Sequence, residues 1–147
     1  MIGKSMHLMV GLLLCLLTAG LAGAHCEIPC GIYDDDARIK QLLEHVTTIE
    51  KSMNQIVMLE KKEHHNPNQL VRWVMNKEKH ADELQEIVAQ YFMTQRIKPQ
   101  AASYDQKIKL LHEMLVFGMK CKQTTDLRNV EELRKRVADF NNLYFKK

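Results

Sequence analysis

Residues 34–62 read DDDARIKQLLEHVTTIEKSMNQIVMLEKK, and their spacing decides the fold. Ile39, Leu42, Leu43, Val46, Ile49, Met53, Ile56 and Val57 recur at intervals of three and four, which lays them along one stripe of an α-helix. Asp34-Asp35-Asp36 offers an N-cap and acids for the first turn, where the helix dipole favours negative charge. Lys61-Lys62 suits the opposite end, and His64-His65-Asn66-Pro67-Asn68 breaks the pattern. The stretch predicts a long amphipathic helix over roughly 35–62.

Downstream the same period returns three times. A second helix is expected over about 68–95, burying Leu70, Val74, Ala81, Leu84, Val88 and Tyr91, with Trp73, Ile87 and Phe92 widening the face. Lys98-Pro99 stops it, because proline cannot continue the backbone ladder. Ser103 is the expected cap of a third helix carrying Tyr104, Ile108, Leu111, Met114 and Leu115. Gly118 should weaken its end, and Cys121 should lie near the turn as a buried thiol. Thr124 or Thr125 then caps a fourth helix striped by Val130, Leu133, Val137, Phe140 and Tyr144. No strand-like alternation, internal repeat or low-complexity tract intervenes. Four amphipathic helices with short connections predict an all-α, antiparallel four-helix bundle over about 35–147.

Upstream, residues 1–24 read as a signal peptide. Lys4 is followed by an apolar run from Leu8 to Leu17 and by small residues ending Ala22-Gly23-Ala24. Cleavage is expected at Ala24-His25, which sends the protein out to a periplasm, an extracellular space or an organelle lumen. The apolar run is short for a membrane span, although an uncleaved anchor is the alternative. Processing leaves 123 of the 147 residues, enough for one core, and no membrane partner is expected afterwards. The formal charge of +3 falls to +2 with Lys4. That charge is too mild and too evenly spread for a nucleic-acid partner, but it modestly favours a small anion.

The junction itself carries the chemistry. Residues 25–33 are His25-Cys26-Glu27-Ile28-Pro29-Cys30-Gly31-Ile32-Tyr33. Cleavage before His25 would free an α-amine. That amine, the next backbone nitrogen and the Cys26 thiolate form fused five-membered chelate rings around one metal, and Cys30 returns a second thiolate. Two nitrogens and two sulfurs in a plane favour Cu(II) or Ni(II) over tetrahedral zinc. The His25 imidazole can add an axial ligand. Pro29 and Gly31 suit a tight hook, and Ile28-Pro29 is a plausible cis bond. A Cys26–Cys30 disulfide is the other reading of the pair in an exported chain. Tyr33 has a packing alternative too, at the helix entrance. His45, His80 and His112 read as helix-surface or interface residues, and His64-His65 as a solvated loop. Of the nine methionines, Met1, Met6 and Met9 belong to the leader, and several of the others, such as Met53 and Met114, fall at core spacing rather than in a copper-binding pattern.

His-Cys-x-x-Pro-Cys-Gly-x-Tyr at a processed N-terminus, ahead of a helical chain of this length, closely resembles the nickel superoxide dismutase family. The resemblance implies a domain over 25–147 with a metal-binding hook at 25–33. It implies one nickel ion per subunit, held by the amine and imidazole of His25, the amide and thiolate of Cys26 and the thiolate of Cys30. Tyr33 would be the catalytic-site tyrosine standing over the open face of the metal. The reaction implied is conversion of two superoxide anions to dioxygen and hydrogen peroxide by Ni(III)/Ni(II) cycling, an antioxidant activity, in a homohexamer. Beyond the hook the chain departs from the pattern. Lys40 stands where some members have a glutamate supporting the imidazole. Arg72 aligns loosely with a helix-two arginine. The tyrosine expected before Lys98-Pro99 is replaced by Gln95-Arg96, with Tyr91 a turn earlier. An exported four-helix nickel or copper carrier without turnover is the alternative, and a disulfide-stapled interaction module is a third reading.

Overall fold

The computed structural model describes residues 28–64 and 66–146. The chain divides into two units, Met1–Cys30 and Gly31–Lys147. The expected signal peptide, together with His25 and Cys26, lies outside the described residues.

Within Gly31–Lys147 there are four helices and no strand among the described residues. Helix α1 spans Asp35–Glu60, and α2 spans Pro67–Glu86 and continues as a π-helical segment, Ile87–Arg96. Helices α3 and α4 span Tyr104–Gln123 and Leu127–Phe145. None of them is long and apolar enough to cross a membrane. The first helix starts as its acids dictate, with the Asp34 carboxylate accepting from Ala37 N at 3.0 Å. Asn66 does the same for α2 through Gln69 N at 3.2 Å, with Pro67 in the first turn.

The apolar stripes meet in one core built on Leu42, Val46, Ile49, Met53, Leu84, Val88, Leu111, Met114, Leu133 and Phe140. Cross-helix polar contacts show the register. Ser52 on α1 receives Asn76 Nδ2 of α2 at 2.9 Å, and Arg134 on α4 reaches Glu50 at 2.6 Å. Between α2 and α3, Gln85 Nε2 donates to Leu115 O at 2.9 Å. Arg136 on α4 meets Glu113 on α3 at 2.7 Å. Neighbouring helices therefore run in opposite directions around the core, as short connections require.

Several expectations are corrected. Val74 is 38% exposed, and the inward position in that turn is taken by Lys77, which is 3% exposed. Its ammonium bonds to Cys121 O at 2.7 Å, to Lys122 O and to Glu78 at 2.8 Å. A lysine from α2 thus satisfies the end carbonyls of α3, which is how a buried charge becomes tolerable. Gly118 does not loosen the helix end, since α3 continues to Gln123. A Cβ there would stand 3.3 Å from Gln85 Cγ, so the glycine makes room for the glutamine that bonds across to Leu115. Ser103 precedes α3 in a left-handed conformation, φ 57°, without a side-chain cap. The cap of α4 is Asp126 rather than a threonine, accepting from Arg128 N at 3.1 Å. Cys121 is buried in the last turn of α3, and burial pushes its thiol up to about 11.

Candidate metal centre

Of the sequence-predicted site residues, Cys30 and Tyr33 fall within the described residues and His25 and Cys26 do not. In the first unit, Ile28-Pro29 is a cis bond within a turn. Cys30 is exposed and holds φ at 21°, outside the region that side chains ordinarily prefer.

The second unit opens on Gly31 at φ 84°, a conformation that glycine adopts without a steric penalty. Two residues on, Tyr33 is held from two directions. The Arg96 guanidinium lies 4.3 Å from its ring centroid, and Tyr91 meets it edge-on at 5.8 Å. Both contacts suit an aromatic face, which attracts cations and the positive edges of other rings.

Arg96 is in turn fixed by Asp35. Its Nε and Nη2 donate to the two carboxylate oxygens at 2.7 and 2.6 Å, the paired geometry that makes an arginine–carboxylate contact directional. Tyr91 OH donates to the same carboxylate at 2.7 Å and Tyr144 OH at 2.8 Å. Burial by itself would raise the Asp35 pKa, but the hydrogen bonds from Arg96, Tyr91 and Tyr144 outweigh it, and the carboxylate sits below its ordinary range. Burial and the adjacent Asp35 charge push both tyrosines up to about 12, so they remain donors at any ordinary pH. Behind this cluster, Phe92 meets Phe140 at 5.0 Å and Tyr144 at 5.6 Å, which ties it to the bundle core.

The π segment explains how one helix supplies two of the partners. On an α-helix, residues five apart lie roughly 140° apart around the axis. On the wider π turn the same pair is only about 50° apart. Tyr91 and Arg96 are such a pair, and the backbone there follows the wider pattern, with Ile97 N bonding to Phe92 O at 2.9 Å. Thr94 Oγ1 reaches Ala89 O at 2.8 Å in the same i to i−5 sense.

Sequence reasoning missed Asp35, Arg96 and Tyr144 as a group. Asp35 reads as one of three capping acids and Tyr144 as part of a stripe. The available signal was Arg96 itself, standing where another side chain was expected just before Lys98-Pro99. Arg72 is not the arginine beside Tyr33; it is exposed on the first turns of α2, near Thr48 and Lys51. Lys40 is exposed and pairs with Asp36 at 2.5 Å.

No curated protein and no solved structure gave a significant match. A family model did, for nickel-containing superoxide dismutase, over residues 21–147. With that match spanning both the His25-to-Tyr33 motif and all four helices, the chain belongs to the nickel-containing superoxide dismutase family, and is an oxidoreductase acting on superoxide with nickel as its cofactor.

Proposed function

We propose that the processed chain begins at His25 and holds one nickel ion in a hook formed by residues 25–33. His25 would contribute its amine and imidazole, Cys26 its amide nitrogen and thiolate, and Cys30 a second thiolate. The donor set fits the ion, since paired thiolates with nitrogen donors select nickel or copper over harder cations. Cys30 suits the role by being exposed on a tight turn. When bound, nickel supplies a one-electron couple between the +3 and +2 states, through which two superoxide anions and two protons become dioxygen and hydrogen peroxide.

The protein's own part is selection and placement. Tyr33 lies three residues beyond Cys30, and its ring is clamped between Arg96 and Tyr91. A tyrosine at this position, as the family motif has it, would screen the centre from larger ligands and present a hydroxyl to water or a small anion. Arg96 spends its charge on Asp35, so it acts here as a seat for Tyr33 more than as an anion lure. Export follows from the signal peptide at 1–24. Assembly as a homohexamer would use exposed apolar surface such as Val71, Val74 and Met75, which lie along one side of α2.

The observation that carries this reading is the family match combined with the His25-Cys26…Cys30 spacing. Metal analysis and superoxide removal in Cys26→Ser and Cys30→Ser test it. Loss of both nickel and activity is expected in each variant, and full activity in either would sink the assignment of the hook.

A further inference from the structure

Halfway along the bundle, α1 and α2 bring together three metal-binding side chains that the hook does not use. His45 projects from α1, while His80 and Glu83 are three residues apart on α2 and so share a face. The two Nδ1 atoms are 2.9 Å apart. Glu83 Oε2 stands 3.6 Å from each of them. Neighbouring helices often place polar residues in contact, so the distances decide whether this is more than a hydrogen bond.

Three atoms at 2.9, 3.6 and 3.6 Å share an equidistant point about 2.0 Å from each, which is the zinc–nitrogen and zinc–oxygen bond length. The imidazole rings are half-buried, with side-chain exposures of 15% and 22%, and Glu83 is 42% exposed, which leaves an open side for a water as fourth ligand. The other carboxylate oxygen, Oε1, is engaged by Lys79 at 3.6 Å, so Oε2 is the one directed at the histidines.

Protonation favours the same conclusion. Two ring nitrogens at 2.9 Å can share one proton but cannot both carry one. Burial, followed by the neighbouring His80, lowers the His45 pKa against the opposing pull of Glu83 and Glu44. At most one of the two rings can therefore be cationic at a time, and the neutral ring is the form that binds a metal. The charged groups facing the pair are Glu83, Glu44 and, through Glu83, Lys79.

We propose that His45, His80 and Glu83 form a second metal site for a zinc-type divalent cation, separate from the nickel hook, which clips α1 to α2. Two imidazoles and a carboxylate are borderline donors that suit zinc rather than calcium or magnesium. The site has no thiolate and is independent of where the mature chain begins.

The test is calorimetric titration of zinc chloride into the nickel-loaded mature protein, in which the hook is already filled. One zinc per chain is expected to bind, with at least tenfold weaker affinity in Glu83→Gln and none at this site in His80→Ala. Glu83 is a surface residue, so its variant keeps the fold even if a histidine variant does not. Zinc should also raise the melting temperature of the wild-type chain and not of Glu83→Gln. Anomalous scattering at the zinc edge should place the ion between the three side chains. Zinc affinity and melting shift unchanged in Glu83→Gln, or an anomalous peak elsewhere, would overturn the proposal while leaving the nickel assignment intact.

Discussion

Asp35 receives four hydrogen bonds from three side chains on two other parts of the bundle, and the consequences are those of a half-buried charge that has been fully answered. Its side chain is 17% exposed and that of Arg96 28%, so solvent screens the pair only in part. Replacing Asp35 by Asn leaves the guanidinium without its counter-charge, and a loss of about 2 to 3 kcal/mol in urea unfolding at neutral pH is expected. The pH dependence has a definite sign. The folded pKa of Asp35 lies below its unfolded value. The network therefore stabilises the fold fully above about pH 3.9, the ordinary carboxylate value, and is lost as pH falls through the folded one. Asp35→Asn should flatten the stability curve in that acid range, and an unchanged slope would show that the carboxylate is not the group responsible. Arg96→Lys asks a different question. Lysine keeps the charge but loses the planar fork and the flat face beneath Tyr33. Expected are about 1 to 2 kcal/mol of lost stability, unchanged nickel content and superoxide removal lowered severalfold; activity equal to wild type would mean that seating Tyr33 does not matter for turnover.

The π segment makes a prediction that belongs to the helix rather than to any one side chain. Tyr91 and Arg96 converge on Asp35 because a ten-residue stretch, Ile87–Arg96, is wound wider than an α-helix. Such a widening accommodates an extra residue within an otherwise regular helix. Deleting exposed Thr94 would place the arginine four residues after Tyr91, roughly 40° away on an ordinary α-helix, so the Asp35 network should survive. Inserting an alanine after Thr94 instead puts them six apart, with no regular helix to bring them together. The deletion is expected to cost less in thermal unfolding than the insertion, and the reverse order would refute this account of the segment. The widening was not legible in the sequence, because Leu84, Val88 and Tyr91 repeat at helical spacing regardless of which carbonyl each amide chooses. Nor was the inward turn of Lys77, whose partners Cys121 O and Lys122 O are 44 and 45 residues away. What could be read was whatever depends on neighbours in the chain: the stripes of α1, α3 and α4, the Asp34 cap, and the breaks at Asn66-Pro67 and Lys98-Pro99. The seat beneath Tyr33 depends on three separate helical segments meeting, and local pattern does not carry that.

For the molecule as a whole, the bundle core and the proposed nickel ligands are drawn from separate stretches of sequence. Among the described residues, the buried core runs from Ile39 to Phe140, within Gly31–Lys147, and its apolar contacts hold the bundle together. The proposed nickel chemistry depends instead on the charge state of one backbone nitrogen. Adding a single residue ahead of His25 converts that amine to an amide and moves the free amine out of the chelate ring. The bundle of the extended protein should melt within about 1 °C of the processed form, since the core among the described residues is built from side chains between Ile39 and Phe140. Its nickel content and superoxide removal should both collapse. Mass spectrometry to fix the first residue, circular dichroism to follow the helices and metal analysis of the same sample separate the two effects. An extended chain that keeps full nickel and full activity would show that the His25 amine is not a ligand. A chain that loses its helices together with its nickel would show instead that the metal helps to hold the bundle, contrary to the independence its core implies.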